Sequence, residues 1–347
     1  MQKGENVLTE TMTSKERVLK LFQGEPTDRP VCFSGMGNVT TEGLNKLGYK
    51  FAHVHLDAYQ MAETAVSTPQ LFGFDSCVLP FDLCVEAEAM GAQVNTYPNS
   101  DDLLYPTIKE KVIHSEEEME ISIPADLVTR GRIPLVKEAI GIAKRAIGDT
   151  VAIGSYLLGP FTLAGQIMEL NDLLKLSFKK ADKVGKLMAD LTCVIVAVAK
   201  EYEAAGVDYL TVREMGATSD VLSPRVFKSL ILPHLKNIFE KITVPSVLHI
   251  CGKTNNIVVP MVETGATAIS VDQKNDVVDT RKKLGADALI FGNYDPYNVL
   301  VSGNTELVKE TMQKCLEDGV SAVWPGCDIW PTVPAENFKA MMESMRG

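Results

Sequence analysis

The sequence predicts one α/β domain, a (β/α)8 barrel with an N-terminal helical extension and a β-hairpin insertion near its mouth. Three observations point there. Eight short apolar runs alternate with eight helical patterns between residues 29 and 345, the count of a closed β/α barrel. Most runs are nearly continuous in Val, Ile, Leu or aromatic residues and end in Gly, Pro or a polar residue, as parallel strands buried on both faces require. No Gly-rich dinucleotide fingerprint follows the first run, which disfavours the doubly wound open sheet.

In chain order, residues 1–12 read as a loose polar tail. Met12 opens MTSKERVLKLFQGE, an amphipathic helix with Thr13 or Ser14 as cap and Glu16 at capping-box spacing; Met1 and Met12 are both candidate starts. The strand runs are RPVCFSG (29–35), DSCVLPF (75–81), TVAIGSYLL (150–158), VDYLTVRE (207–214), PSVLHICG (245–252), TAISVDQ (267–273), ALIFGNY (288–294) and SAVWPG (321–326). Helical patterns occupy 54–71, 136–147, 182–205, 223–241, 255–264, 277–284, 305–318 and 335–345. The stretch 85–125 breaks the alternation. VEAEAMGAQVNTY has a period of two around a Gly turn, so a β-hairpin over 85–96 is expected, inserted over the barrel mouth. Residues 13–347 are then one domain. The 19 uncharged residues from Thr150 to Met168 contain Gly154, Gly159, Pro160 and Gly165, and read as a buried strand, a turn and a helix start rather than a membrane span.

Composition bounds the function. A chain of 347 residues suggests two domains at roughly 150 residues each, but barrels of this size are routinely single units. Lys and Arg number 34 against 45 Asp and Glu, a net charge of -11, which argues against nucleic acid or an anionic membrane as partner and leaves room for a local basic pocket. The seven cysteines are an odd count, and MQKGENVLTE is too polar for a signal peptide. A cytoplasmic, reducing location is expected, where cysteines serve as ligands, nucleophiles or core filler.

Reactive residues of such barrels sit where strands end. His249 and Cys251 are two apart at a strand end and so point to one side. Cys327 lies in the Gly-Pro-rich end of the last run and can reach the same mouth. Two thiolates and one imidazole are a catalytic zinc set with a fourth position left for substrate; the bland alternative is a buried strand end. Cys193, in a helix interior, and Cys32 and Cys315 read as core, and Cys77 and Cys84 as packing. His53 and His55 would face apart around a helix, while His114 and His234 read as surface or helix residues.

LHICGKTNNIVVPMVETGATAISVD, FGNYDPYNVL and PGCDIWPTVPAENFKAM resemble the uroporphyrinogen decarboxylase superfamily, and the likeness covers nearly the whole chain. Within it, His249-x-Cys251 with a distant Cys327 resembles the zinc-dependent corrinoid:coenzyme M methyltransferases of methanogens, as does the start MTSKERVLKLFQGEPTDRPV. Decarboxylases carry an Arg-rich segment after the first strand, where this chain has FSGMGNVTTEG; their Gly-His-Gly is here Gly326-Cys327-Asp328. Asp82 in VLPFD resembles their strand-2 acid.

The resemblance implies methyl transfer from a methylated corrinoid on a partner protein to the thiol of coenzyme M. It implies one Zn²⁺ per chain on His249, Cys251 and Cys327, which bind metal and are not themselves methylated. Water or a carboxylate would fill the fourth position without substrate. Glu214 and Asp272 are the candidates, with Asp328 behind, and these acids are alternatively orienters of the His ligand or solvated loop residues. Arg213, Lys253 and Asn293 are candidate sulfonate contacts, and Tyr156 and Asp82 pocket lining. The corrinoid requires a wide mouth, with hairpin 85–96 as part of its rim. Methanol, methylamine and methylthiol pathways are possible donors, the methanol type being favoured on overall likeness. The rivals are a decarboxylase-like lyase, another thiol acceptor such as homocysteine, and a non-catalytic corrinoid-binding barrel.

Overall fold

The computed structural model describes residues 10–346. Of the expected tail, residues 1–9 lie outside the described residues. Residues 10–12 are not loose. The Thr11 and Met12 N–H groups donate to Asp28 Oδ2 at 2.7 and 2.8 Å, and Glu10 pairs with Arg17, Arg29 and Arg346.

The described residues form nine strands: β1 (Ser76–Val78), β2 (Gln93–Asn95), β3 (Thr107–Glu110), β4 (Ala152–Leu158), β5 (Tyr209–Arg213), β6 (Ser246–Ile250), β7 (Ala268–Val271), β8 (Ile290–Tyr294) and β9 (Ala322–Pro325). Seven of them make one curled parallel sheet in the order β1-β4-β5-β6-β7-β8-β9. Each corresponds to an apolar run of the sequence.

The run 29–35 forms a single parallel bridge, Cys32 to Val323, in place of the expected full strand. It still links the two edges of the sheet. Val323 N–H donates to Val31 O and Phe33 N–H to Val323 O on one side, while Asp75 N–H donates to Cys32 O on the other. Side chains take the remaining ladder positions: Cys32 N–H donates to Asp75 Oδ2, and Ser34 N–H to Ser76 Oγ.

The expected hairpin over 85–96 is corrected. Residues 85–89 form a short helix, and β2 pairs antiparallel with β3 further along the chain. Ala and Glu are strong helix formers, and five alternating residues do not separate the two periods. Val85, Glu86, Ala87 and Ala89 are all buried, so this helix shows no polar face to betray it.

Helix α1 (Ser14–Phe22) starts as its sequence dictates. Thr13 Oγ1 accepts from Glu16 N–H, and Glu16 returns the bond to Thr13 N–H. It packs at the N-terminal end of the sheet, where Lys15 N–H donates to Thr150 O just ahead of β4. Phe22 enters the interior and meets Phe33, Tyr209 and Phe291, and Phe33 and Phe291 in turn meet Trp324, at ring-centroid distances of 4.7 to 5.9 Å. The interior is therefore filled with side chains at this end.

The outer layer matches the predicted helices, and adds Thr41–Leu47, Pro160–Ile167 and Leu170–Lys179. In the helix Ala181–Ala205, Leu191, Thr192, Val194, Ile195 and Val198 face inward, which turns Cys193 outward; it is exposed, not core as expected. Cys32, Cys77, Cys84 and Cys315 are buried as expected. Among the described residues no helix is long and apolar enough to cross a membrane.

Candidate functional site

Strand register assembles the site. Arg213 pairs with His249 across β5 and β6, and His249 with Ser270 across β6 and β7. Laterally paired residues in a parallel sheet point to the same face, so the three side chains form a row. Ser270 Oγ lies 2.9 Å from His249 Nδ1, which leaves Nε2 free to face Cys251 Sγ at 3.0 Å. Gly252 follows with φ +80°, a left-handed turn that glycine adopts without cost, and its N–H donates to Asp272 Oδ2 at 2.9 Å. The segment after β9 brings Cys327 Sγ to 3.8 Å from Cys251 Sγ, and neither sulfur is in a disulfide. The structure thus places Cys251 Sγ between His249 Nε2 and Cys327 Sγ.

His249 is wholly buried. Burial, and after it the Arg213 cation, push its imidazole down to about 3, so it is neutral at pH 7 and keeps a lone pair available. The two thiols share a hydrogen bond, which draws Cys327 toward the thiolate and holds the proton on Cys251.

The donor set fits zinc in kind. Two thiolates on a tetrahedral zinc stand about 3.8 Å apart for bonds of about 2.3 Å, which matches the sulfur separation here. The Nε2–Sγ contact is a hydrogen bond, tighter than the roughly 3.5 Å edge of such a site. Accordingly, no group of three or more His, Cys, Asp or Glu side chains among the described residues is arranged as placed to hold a metal. Closing on one requires Nε2 and Sγ to part by about half an ångström.

Several expected site residues are employed otherwise. Glu214 is no free acid at the mouth. Its Oε2 accepts from Phe161 N–H at 2.9 Å, and its Oε1 from Thr162 N–H at 2.8 Å and Thr162 Oγ1 at 2.6 Å, so it caps the helix Pro160–Ile167. A Cβ at Gly159 would collide with this carboxylate. Burial pushes Glu214 up to about 7 against these three bonds. Asp272 accepts from Gly252 and Lys274 N–H, so it fastens the loop carrying Cys251 and is committed to backbone rather than free as a fourth ligand. Asn293 donates its amide to the carbonyls of Asp272 and Asn275 and lines a different cavity, beside Tyr294 and Lys314; it is not placed to meet a sulfonate. Lys253 is exposed beside Asp220 and does not line the mouth cavity. Asp82 is buried and held by Arg132 at 2.6 and 3.0 Å and by His55 Nδ1 at 3.2 Å, which keeps its carboxyl well below the usual range despite burial. Tyr156 donates to Asp82 O at 2.7 Å and lies under Arg213, whose guanidinium carbon is 4.9 Å from its ring centroid.

Sequence reasoning missed Ser270, Arg132, His55 and the pairing of Arg213 with Asp328. Ser270 was findable, because it sits two residues before Asp272 on one strand face. Arg132 and His55 carry no local signal; they meet Asp82 only through folding.

Beside Cys327 opens a cavity of about 580 Å³. Its walls are largely apolar, from Phe81, Leu83, Tyr105, Ile108, Ile329 and Trp330, with Asp82, Arg213 and Asp328 as its charges. Trp330 is half exposed at the rim, edge-on to Tyr297 at 5.5 Å.

Residues 13–347 match the family model for uroporphyrinogen decarboxylase (URO-D). The chain belongs to this family. Among its relatives in the uroporphyrinogen decarboxylase family is methylcobamide:CoM methyltransferase MtaA of Methanosarcina barkeri, 31% identical over 337 residues, which is 95% of this chain and 96% of that protein. Methylcobamide:CoM methyltransferase MtbA of Methanosarcina acetivorans is also 31% identical, over 336 residues, 95% of this chain and 97% of the other. A solved methyltransferase from Methanosarcina mazei superposes with a TM-score of 0.91 at 29% identity, covering 96% of this chain and 98% of its own. A uroporphyrinogen decarboxylase of Pelobacter propionicus is 23% identical over 300 residues, 82% of this chain and 84% of that protein. Family membership thus agrees with the sequence resemblance, and the methyltransferase relatives are closer than this decarboxylase.

Proposed function

We propose that the protein is a corrinoid-dependent thiol methyltransferase. It moves the methyl group of a methylcobamide, carried by a partner protein, to the thiol of coenzyme M, with one Zn²⁺ on His249, Cys251 and Cys327. The observation that carries this reading is the meeting of two half-buried thiols, 3.8 Å apart, with a neutral imidazole pinned by Ser270, at the wall of a large apolar cavity. The methylcobamide:CoM methyltransferase relatives, at 31% identity over nearly full length, support it.

The metal's contribution is to hold the acceptor sulfur as a thiolate at neutral pH, where a free thiol is only a few per cent ionised. The chain's residues do the rest. Ser270 fixes the ring of His249 through Nδ1, so Nε2 would be the nitrogen offered to a metal. Asp272 holds the turn at Gly252 and so sets where Cys251 points. Arg213 supplies positive charge beside the sulfurs, and Tyr156 and Asp82 support it from beneath. The apolar walls from Phe81 to Trp330 exclude water and suit a large flat corrinoid face. No protein side chain is required as a covalent nucleophile, so Cys251 and Cys327 stay unmethylated.

The frame for this site, in the same reading, is a closed (β/α)8 barrel over residues 13–347 in a cytoplasmic enzyme, with the 29–35 run as its eighth strand. The test is direct. The purified protein should carry about one zinc per chain and methylate coenzyme M from free methylcobalamin. Cys251→Ala and Cys327→Ala should each lose both metal and activity. Full activity in either variant refutes the proposal.

A further inference from the structure

Among the described residues that line the mouth cavity, Arg213 is the one cationic side chain. It is fixed. Its side chain is 1% exposed, it lies over the Tyr156 ring, and Nη2 also approaches Met215 Sδ at 3.7 Å. Its charge is already matched. Asp328 takes both Nη1, at 3.1 Å, and Nη2 in a two-pronged pair, while Nε is buried with no partner.

The two halves of the pair differ in their freedom. The Asp328 side chain is 39% exposed, on the loop after β9, so water can solvate it if it swings away. The Arg213 guanidinium has no such route, and a cation so buried requires a counter-anion at all times. Strand register sets Arg213 and His249 side by side on one face of the sheet, and the carboxylate that Arg213 binds belongs to Asp328, the residue next to Cys327. A thiol joined by two carbons to an anionic group is short, so its two ends must meet groups that are close neighbours, as Cys327 and the partner of Asp328 are. With its sulfur at the His249–Cys251–Cys327 cluster, its tail would reach the face of Arg213 that Asp328 now holds.

We propose that Asp328 is a specificity-determining residue: its carboxylate competes with the anionic tail of the thiol acceptor for Arg213 and so sets how tightly anionic acceptors bind. The inference rests on the thiol-methyltransferase reading for the acceptor's identity, but not for the competition itself. Asp328 holds the site neutral between turnovers and leaves when a sulfonate arrives. An acceptor without an anion gains nothing from its departure.

Ethanesulfonate, which has the tail and no thiol, tests the competition without turnover or metal. By calorimetry, Asp328→Asn should bind ethanesulfonate about five- to tenfold more tightly than the wild type, the range set by a half-exposed carboxylate on a buried Arg. Arg213→Met should lose that binding. Asp328→Asn leaves Arg213 unpaired, so its melting temperature should fall and ethanesulfonate should raise it more than in the wild type. In turnover, the ratio of KM for 2-mercaptoethanol to KM for coenzyme M should rise by the same five- to tenfold factor in Asp328→Asn. Ethanesulfonate binding no tighter in Asp328→Asn, or unweakened in Arg213→Met, overturns the proposal, as does an unmoved KM ratio. A wild type that methylates no thiol while Asp328→Asn still binds ethanesulfonate more tightly refutes the activity and leaves the competition standing.

Discussion

Replacing Glu214 by Ala separates two roles for that carboxylate, helix cap or metal ligand. The Phe161 and Thr162 N–H groups lie in the first turn of their helix and have no intrahelical acceptor. Each buried donor left alone costs about 1–3 kcal/mol, so the variant should lose about 2–5 kcal/mol, toward the lower end where water enters the vacated space. Equilibrium urea unfolding at pH 6 should show a lower midpoint with an unchanged slope. Zinc content of the folded variant should equal that of the wild type. The same carboxyl has a pH signature. Burial holds it at about 7, above its usual 4.5, so the folded protein keeps a proton that the unfolded chain releases. That stabilisation is complete below pH 4.5 and is lost as pH rises to 7, by up to about 3 kcal/mol. Wild-type stability should therefore fall across this window more steeply than that of Glu214→Ala. Glu86, also raised to about 7 by burial, supplies the slope that remains. An unaltered midpoint together with lost zinc would refute the capping argument and return Glu214 to the metal.

Ser270→Ala frees His249 Nδ1, and zinc affinity should fall about 10- to 100-fold in chelator competition while the fold persists. An affinity within twofold of wild type would count against the imidazole as ligand. Arg132→Ala strips the buried Asp82 of its bidentate partner and should cost about 3–5 kcal/mol in urea unfolding, His55 being a poor substitute. Iodoacetamide under native conditions should modify Cys193 well before Cys32, Cys77, Cys84 or Cys315, as peptide mapping would show; the reverse order would contradict the inward face assigned to its helix.

Some features were legible in the residues alone because they are short-range. Seven of the eight apolar runs became strands of the parallel sheet, since burial on both faces leaves a continuous apolar signature. His249 and Cys251 were readable as a pair because side chains two apart on a strand share a face, and Cys327 because it ends another strand of the same sheet. Where local patterns are ambiguous, the structure departs from them. The alternation at 85–89 folded as helix, and Cys193 in an apolar stretch turned outward.

The employment of each charge is settled by folding. Arg132 and Asp82 are 50 residues apart, Arg213 and Asp328 are 115 apart, and Glu214 reaches back to Phe161 and Thr162. No periodicity encodes these meetings. A strand-end acid and a strand-end arginine look equally available until the sheet curls and the loops close. Burial then obliges each charge to find whichever partner the fold puts within reach. Local pattern marked seven strands and set His249 beside Cys251; folding determined that Glu214 caps a helix, Asp272 fastens a loop, and Arg213 pairs with Asp328.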